Sequence, residues 1–412
     1  MSCVEIDSRK LPSVEWLNFF VADVQTGLGP FLAAYLAAGG WNPSKVGFAL
    51  TVGGLVTVAL QTPAGAMIDA ARNKRLLVAV NLIVLAIGAV LLMGGLKTTT
   101  VFTAQFLIGT SAAFLAPSIA AITLGVVGSQ KFDSQFGRNQ GFNSAGNVTS
   151  ALLIALVSYK FGYHAIFVTA VLFTIPSLAC LLSIDGNQID YARARGSSSD
   201  RKDSKSEGIH ELLKDHDLLF FLSAVFLFHL SNAAMLPQLG EMLSRGKLQD
   251  AAPLMSACII VTQLVIACSA AWVGKRALEK GRKQLLVIGF GVLPIRGILY
   301  TLTHATSALI GIQLLDGIAN SIFVIVSILV IKDLTEGTGR FNLASGALAT
   351  MVGMGAALSN AMGGLLIQHF SYNVSFLGLA ATGFIAVSLL YFKVPETLRG
   401  RHRTQKGHQN KT

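Results

Sequence analysis

The sequence predicts an all-α integral membrane protein of twelve transmembrane helices in two pseudo-symmetric six-helix bundles. Three observations carry that expectation. Apolar residues make up 52% of the 412 and charged residues only 13%, about half the charged share of a soluble domain. The apolar residues gather into membrane-length segments separated by charged or turn-rich breaks. Landmarks of the first half then recur in the second at an offset of about 208 residues: Gln105-Phe-Leu-Ile-Gly109 returns as Gln313-Leu-Leu-Asp-Gly317, and Pro30 and Gly65 fall opposite Pro237 and Gly274.

The segments are residues 14–38, 46–68, 76–96, 100–127, 141–160, 163–184, 216–238, 252–273, 284–303, 306–331, 341–367 and 373–392. Most reach the ~20 residues that cross ~30 Å of hydrocarbon at ~1.5 Å per residue. Only a helix satisfies its backbone within one such segment, so each is read as a helix. The division follows: residues 1–184 form the first bundle, 185–215 a linker, 216–398 the second bundle and 399–412 a basic tail. The linker is dense in Ser, Asp, Lys and Arg without an apolar period, and cannot bury a core. Two further echoes support the repeat: Gly137-Arg138 with Gly339-Arg340, and Phe161-Gly-Tyr-His-Ala-Ile-Phe167 with Phe370-Ser-Tyr-Asn-Val-Ser-Phe376.

Net charge is +11, from 32 Lys and Arg against 21 Asp and Glu. Its distribution reports orientation rather than an anionic partner. With the N-terminus inside, the outer loops hold only Lys45, Lys97, Lys160, Arg245 and Lys247, and Arg296 lies within a span; every other basic residue falls on the inner side. The positive-inside rule then puts both termini in the cytoplasm of a multi-pass protein of the inner (plasma) membrane. Trp16, Trp41 and Trp272 stand at span ends, where indoles favour the headgroup layer. The first span is read as inserting and staying, with no cleaved leader.

The loop after the second span reads Gly65-Ala-Met-Ile-Asp69-Ala-Ala-Arg72-Asn-Lys74-Arg75, and its counterpart after the eighth reads Gly274-Lys-Arg-Ala-Leu-Glu279-Lys-Gly281-Arg282-Lys283. In physical terms Gly65 would let two helices approach, and Asp69 would face a helix end and several cations. Arg72, Lys74 and Arg75 could equally be topology determinants alone. The loop resembles the G-x-x-x-D-x-x-G-R-K/R loop of the major facilitator superfamily, over essentially the whole chain. The first copy has Arg72 for the second Gly, and the second has Leu278 for the Asp. The resemblance implies that fold, and a conformational latch built from Gly65, Asp69, Arg72, Lys74, Arg75, Gly274, Gly281, Arg282 and Lys283. Two features common in the family are absent. Gln105 stands where an Arg often lies on the fourth span, and Gly141-Phe-Asn-Ser-Ala-Gly146-Asn147 on the fifth has glycines but no Pro.

Three charged residues fall at mid-membrane depth, Asp23, Arg296 and Asp316, where each costs about 2.5–3.5 kcal/mol on insertion scales. Asp23 lies about nine residues into the first span and shares an i, i+3, i+4, i+7 face with Thr26, Gly27 and Pro30. Gln313, Asp316, Gly317 and Asn320 form a second stripe, and Arg296 lies about four residues from Asp316 in depth, within reach of its side chain. Such a pair would leave Asp23 as the freer proton site, or would only hold the second bundle together. His229 and Asn232 on the seventh span could bind substrate or relay protons, or make helix contacts. The pathway residues are therefore Asp23, Thr26, Gln105, His229, Asn232, Arg296, Gln313, Asp316 and Asn320.

Nothing in the sequence suggests an enzyme, a cofactor, a metal site or a nucleic-acid module. A Gly-Lys-Ser/Thr phosphate loop, which ATP-driven transport would need, is absent. Cys3, Cys180, Cys258 and Cys268 lack metal-ligand spacing. The expected activity is secondary active transport of a small organic solute, proton-coupled, with efflux of a drug- or siderophore-like compound preferred. A metabolite uptake symporter or a passive facilitator are the alternatives, and a non-transporting solute sensor is the reading of another class. The expected partners are the solute, protons and the lipid bilayer, with the chain a monomer.

Overall fold

A computed structural model describes residues 11–22, 28–71, 73–162, 164–186, 189–190, 214–244, 248–335 and 341–398. The regular elements among them are α-helices. In order they are α1 (Leu11–Ala22), α2 (Leu28–Ala38), α3 (Pro43–Ala70), α4 (Lys74–Met93), α5 (Thr98–Val127), α6 (Ser129–Phe161) and α7 (His164–Ser183). After the linker come α8 (His216–Asn232), α9 (Met235–Ser244), α10 (Leu248–Glu279), α11 (Arg282–Leu302), α12 (Thr306–Leu334), α13 (Phe341–His369) and α14 (Tyr372–Lys393).

Among the described residues, eleven stretches are long and apolar enough to cross a membrane, α8 and α9 counting as one. The first segment expected to span appears as α1 and α2, of 12 and 11 residues, with 23–27 between them outside the described residues. Local chemistry explains many of the ends. Asn42, Asn73, Asp215 and Ser371 cap α3, α4, α8 and α14 by accepting from the backbone N–H three residues on, at 2.8–3.2 Å. Gly128 ends α5 at φ 73°, a conformation that favours glycine. Leu156, Leu182, Leu302 and Phe392 are 68–77% exposed on helix surfaces. In water such a surface would aggregate, but hydrocarbon solvates it.

Two boundaries differ from the hydropathy reading. Helix α6 begins at Ser129, twelve residues before the expected 141. Its first turns are polar, so hydropathy breaks there while the helix continues. Gln135 and Asn139 on those turns are buried, bonded to Glu15 of α1 and Thr123 of α5 at 3.0 and 3.1 Å. The seventh span is not one helix. The backbone N–H of Ala234 donates to Ser359 Oγ at 3.0 Å, and the chain breaks at Ala233–Ala234. Alanine is the strongest helix former, so no local signal marks this break.

By contacts the chain divides into two compact units. The first holds residues 1–202 with 236–260, so α9 and the start of α10 pack in it; the second holds 203–235 with 261–412. The first unit's core has one cluster around Phe31, Leu36, Trp41, Phe167 and Met255 and another around Leu17, Leu82, Leu115 and Leu181. The second unit's core is built on Phe221, Phe228, Phe290, Val326 and Leu390. The sequence repeat has a packing counterpart. A Cβ at Gly109 would run into the Gly53 carbonyl oxygen and lie 3.1 Å from Val56 Cβ. A Cβ at Gly317 would lie 2.9 Å from the Thr262 carbonyl oxygen and 2.5 Å from Val265 Cβ.

Candidate functional site

In the second unit, α8, α10, α11 and α12 bring a polar cluster into an otherwise apolar core. Gln313, Asp316 and Asn320 share one face of α12 at i, i+3, i+7, and Arg296 and Tyr300 share one face of α11 at i, i+4. Arg296 Nη1 lies 2.5 Å from Asp316 Oδ1 and donates to Asn232 Oδ1 at 2.5 Å. Arg296 Nε donates to the Tyr300 hydroxyl at 3.2 Å, and Gln313 Nε2 donates to the same oxygen at 2.6 Å. On the acid side, Thr262 Oγ1 donates to Asp316 Oδ2 at 3.2 Å and Asn320 Nδ2 to Oδ1 at 3.0 Å. Arg296 is 1% exposed and Asp316 6%. A pair this deep holds only because each charge is hydrogen-bonded as well as opposed.

The cluster collects Asn232, Arg296, Gln313, Asp316 and Asn320. Thr262 and Tyr300 belong to it too, although the sequence reading passed over both. Tyr300 was findable, one turn beyond Arg296 on the same face; Thr262 was not, because its partner is 54 residues away. His229 packs its ring edge-on to Phe323 at 4.7 Å, and its buried Nε2 has no hydrogen-bond partner among the described residues. Gln105 belongs to the first unit, where Nε2 donates to the Ala49 carbonyl at 3.0 Å across the α3–α5 contact. Asp23 and Thr26 lie outside the described residues.

A second acidic group lies in the first unit. Glu15, 3% exposed, accepts from Arg138 Nε at 2.9 Å and from Gln135 Nε2 at 3.0 Å. The hydropathy reading missed it because it sits in the first turns of the first span, where a charge looks like a loop residue.

The two basic loops are organised differently. In the first unit Lys74 is fully buried and donates to the Ile68 carbonyl at 2.5 Å, and Arg75 Nη2 donates to the Leu182 carbonyl at 3.0 Å. Both cations thus sit at the C-terminal ends of helices, α3 and α7, where carbonyls and the helix dipole favour positive charge. The side chain of Asp69, and Arg72 altogether, lie outside the described residues. A Cβ at Gly65 would meet nothing within 4 Å among the described residues, and the same holds for Gly274. No close helix approach is therefore seen at Gly65 among the described residues. The tight approaches among the described residues are at Gly109, Gly146, Gly297, Gly317 and Gly355, each set against a backbone carbonyl oxygen.

In the second unit the acids come from beyond the loop. Glu396 accepts from the backbone N–H groups of Arg282, Lys283 and Leu398 at 2.9, 3.1 and 3.1 Å, capping the start of α11. Arg282 Nε pairs with Asp333 Oδ2 at 2.8 Å, and Thr397 Oγ1 donates to the same oxygen at 2.9 Å. Gly281 has φ +102°, and a Cβ there would collide with the Glu396 carboxylate. Glycine is required on both counts. Glu396→Ala should lower stability by about 1–2 kcal/mol in a detergent unfolding assay, as a lost helix cap does. Glu279→Ala should change it by under about 0.5 kcal/mol, because its ion pairs are long (3.8 Å) and exposed.

Comparison with known proteins fits this arrangement. The sequence model described as Major Facilitator Superfamily matches residues 16–295 and 251–411. The chain is 38% identical over 400 residues to the uncharacterized MFS-type transporter Rv2456c of Mycobacterium tuberculosis strain ATCC 25618 / H37Rv, covering 96% of this chain and 95% of that one. The same figures hold for the uncharacterized MFS-type transporter MT2531 of M. tuberculosis strain CDC 1551 / Oshkosh. Among solved structures, the nucleoside transporter NupG superposes with a TM-score of 0.73 at 14% identity, covering 93% of this chain and 98% of NupG. An inward-facing bacterial homolog of the human lysosomal transporter Spinster, in its unoccupied conformation, gives 0.75 at 12% identity, covering 95% and 98%. Those two likenesses establish the fold. With the family model matching both halves and relatives at 38% identity over nearly the full length, the chain belongs to the Major Facilitator Superfamily of membrane transporters.

Proposed function

We propose that this transporter is a secondary carrier of a small organic solute, working by alternating access and coupled to protons. The observation that carries the reading is the Arg296–Asp316 pair with its ring of Asn232, Thr262, Tyr300, Gln313 and Asn320. Ionisable groups inside membrane-length helices are costly, and in carriers they mark solute and proton pathways. The pair is electrically closed, so the second unit offers a solute hydrogen bonds rather than net charge. Few polar groups among many Phe and aliphatic side chains suit a partly apolar compound, and export is the direction we assign. Asp23 takes the proton role in this proposal, as the mid-span acid left over once Asp316 is paired. Both termini face the cytoplasm of the inner membrane, an orientation supported by the distribution of Lys and Arg.

The test begins with a thermal-shift screen of the purified protein against siderophores, sugars, organic acids, cationic drugs and nucleosides, the last because of the NupG likeness. A compound at ~100 times its dissociation constant should stabilise the protein by ~2.7 kcal/mol. The hit is then followed in proteoliposomes with and without an imposed pH gradient. Wild type should move it uphill only with the gradient, whereas Asp23→Asn should bind it yet fail to accumulate it. Uphill, pH-driven movement by Asp23→Asn sinks the Asp23 assignment. Equilibration that ignores the gradient identifies a passive facilitator, and binding without movement identifies a sensor.

A further inference from the structure

At the end of the second unit where α11 begins and α14 finishes, a cleft of about 610 Å³ opens between the two helices. Lys280, Lys283 and Gln284 line its polar side, and Val287, Ile288 and Tyr391 continue it along the helices. Its two acids are already engaged. Glu396 carries three backbone N–H groups, and Glu279 faces Lys275 and Arg276 at 3.8 Å. Neither Lys280 nor Lys283 has an ion-pair partner among the described residues; Lys283 Nζ stands over the Tyr391 ring at 5.5 Å. The lining is thus formally neutral, but its two lysines have no ion-pair partner among the described residues and stand at the mouth above an apolar, aromatic track. Ile288 and Tyr391 are about half exposed, 49% and 56%, on helices long and apolar enough to cross a bilayer. Tyr and Lys at such an end lie at headgroup depth, and basic pockets between membrane helices hold anionic headgroups.

We infer that this cleft is a binding site for an anionic phospholipid. Lys280 and Lys283 hold the phosphate, Gln284 donates to a headgroup oxygen, and one acyl chain follows Val287, Ile288 and Tyr391 along the α11–α14 seam. Placement decides the source. A free phosphate would use the lysines alone, whereas the apolar track runs away from them into the hydrocarbon. The lipid would bear on the same corner at which Glu396, Arg282 and Asp333 tie α11 to the ends of α12 and α14.

The experiment uses the full-length, delipidated protein in detergent, titrated with phosphatidylglycerol, phosphatidylcholine or inorganic phosphate. Unfolding temperature and native mass spectrometry are the readouts. Phosphatidylglycerol should stabilise the wild type and survive as a retained lipid, and phosphatidylcholine should do neither at equal concentration. Lys280→Gln/Lys283→Gln should weaken the apparent affinity about thirtyfold, as expected for two interfacial cations. Lys97→Gln/Lys131→Gln, which removes two exposed lysines of the first unit, should leave the affinity unchanged. Equal affinity in the two double variants, or equal stabilisation by phosphatidylcholine, overturns the proposal. Full stabilisation by inorganic phosphate alone overturns the lipid assignment in favour of a phosphate site. Should the Lys280/Lys283 double variant aggregate, Lys280→Gln at its exposed position carries the test, with a weakening of a fewfold expected and none fatal.

Discussion

Asp316→Ala is expected to destabilise this protein by about 3–5 kcal/mol, the cost of leaving one member of a buried ion pair alone. The guanidinium of Arg296, 1% exposed, would keep Asn232 Oδ1 and the Tyr300 hydroxyl as partners but lose its counter-charge. Thr262 Oγ1 would lose its acceptor in the same stroke, whereas Asn320 Nδ2 would keep the backbone carbonyl of residue 316, at 3.0 Å. Asp316→Asn should fall between, because it keeps an acceptor oxygen without the charge. The informative companion is Arg296→Met/Asp316→Leu. Replacing a buried pair by apolar groups of similar volume is often neutral or stabilising, so the double variant should unfold near the wild-type midpoint. The measurement is the unfolding midpoint in detergent together with the monodisperse fraction on size exclusion. A loss under about 1 kcal/mol for Asp316→Ala would mean that water reaches the pair, since exposed ion pairs are worth about that. Transport by the folded double variant then separates two roles. Folded and inactive assigns the pair to the pathway; folded and active makes it scaffolding.

The repeat and the membrane class were legible because both are written as periodic, local patterns. A run such as Lys74–Met93, with a mean hydropathy of 2.9 in its most apolar window, needs no partner to be recognised. The depth of Arg296 and Asp316 could also be counted from the hairpin joining α11 and α12. What could not be read depends on partners distant in sequence. Glu396 caps a helix 114 residues earlier, and Ser359 takes the Ala234 N–H from 125 residues away. Neither bond leaves a local signal: Glu396 sits after the last apolar run, and Ala233 and Ala234 favour helix. The start of α6 failed for another reason. Its polar turns are held by Glu15 and Thr123, so a hydropathy window reads a buried polar contact as a loop.

Gly109→Val and Gly317→Val should each be strongly destabilising, at the upper end of the about 1–3 kcal/mol seen for overpacking. Helices in lipid have no hydrophobic drive to associate, so close backbone approach at small residues supplies much of the adhesion. At Gly109 the added side chain meets the Gly53 carbonyl oxygen, and at Gly317 that of Thr262. A backbone carbonyl cannot swing aside like a side chain, so relief requires α3 to leave α5, or α10 to leave α12. At Gly109 this strains the Thr57 hydroxyl, whose single proton is shared between the Gly53 and Gly109 carbonyls at 2.9 and 3.0 Å. At Gly317 it pulls Thr262 from Asp316, so the second copy should lose more than the first. Gly311→Ala is the control. With nothing within 4 Å of its Cβ, it should gain about 0.5–1 kcal/mol from helix propensity alone. Unfolding midpoints of the three variants decide the matter. Equal losses at 109 and 317 would mean that the repeat carries packing and nothing more. A larger loss at 317, reduced when Asp316 and Arg296 are already Leu and Met, would show that the glycine also holds the polar cluster closed. No loss at either site would mean that the helices yield, and that the adhesion lies elsewhere along the α3–α5 and α10–α12 seams.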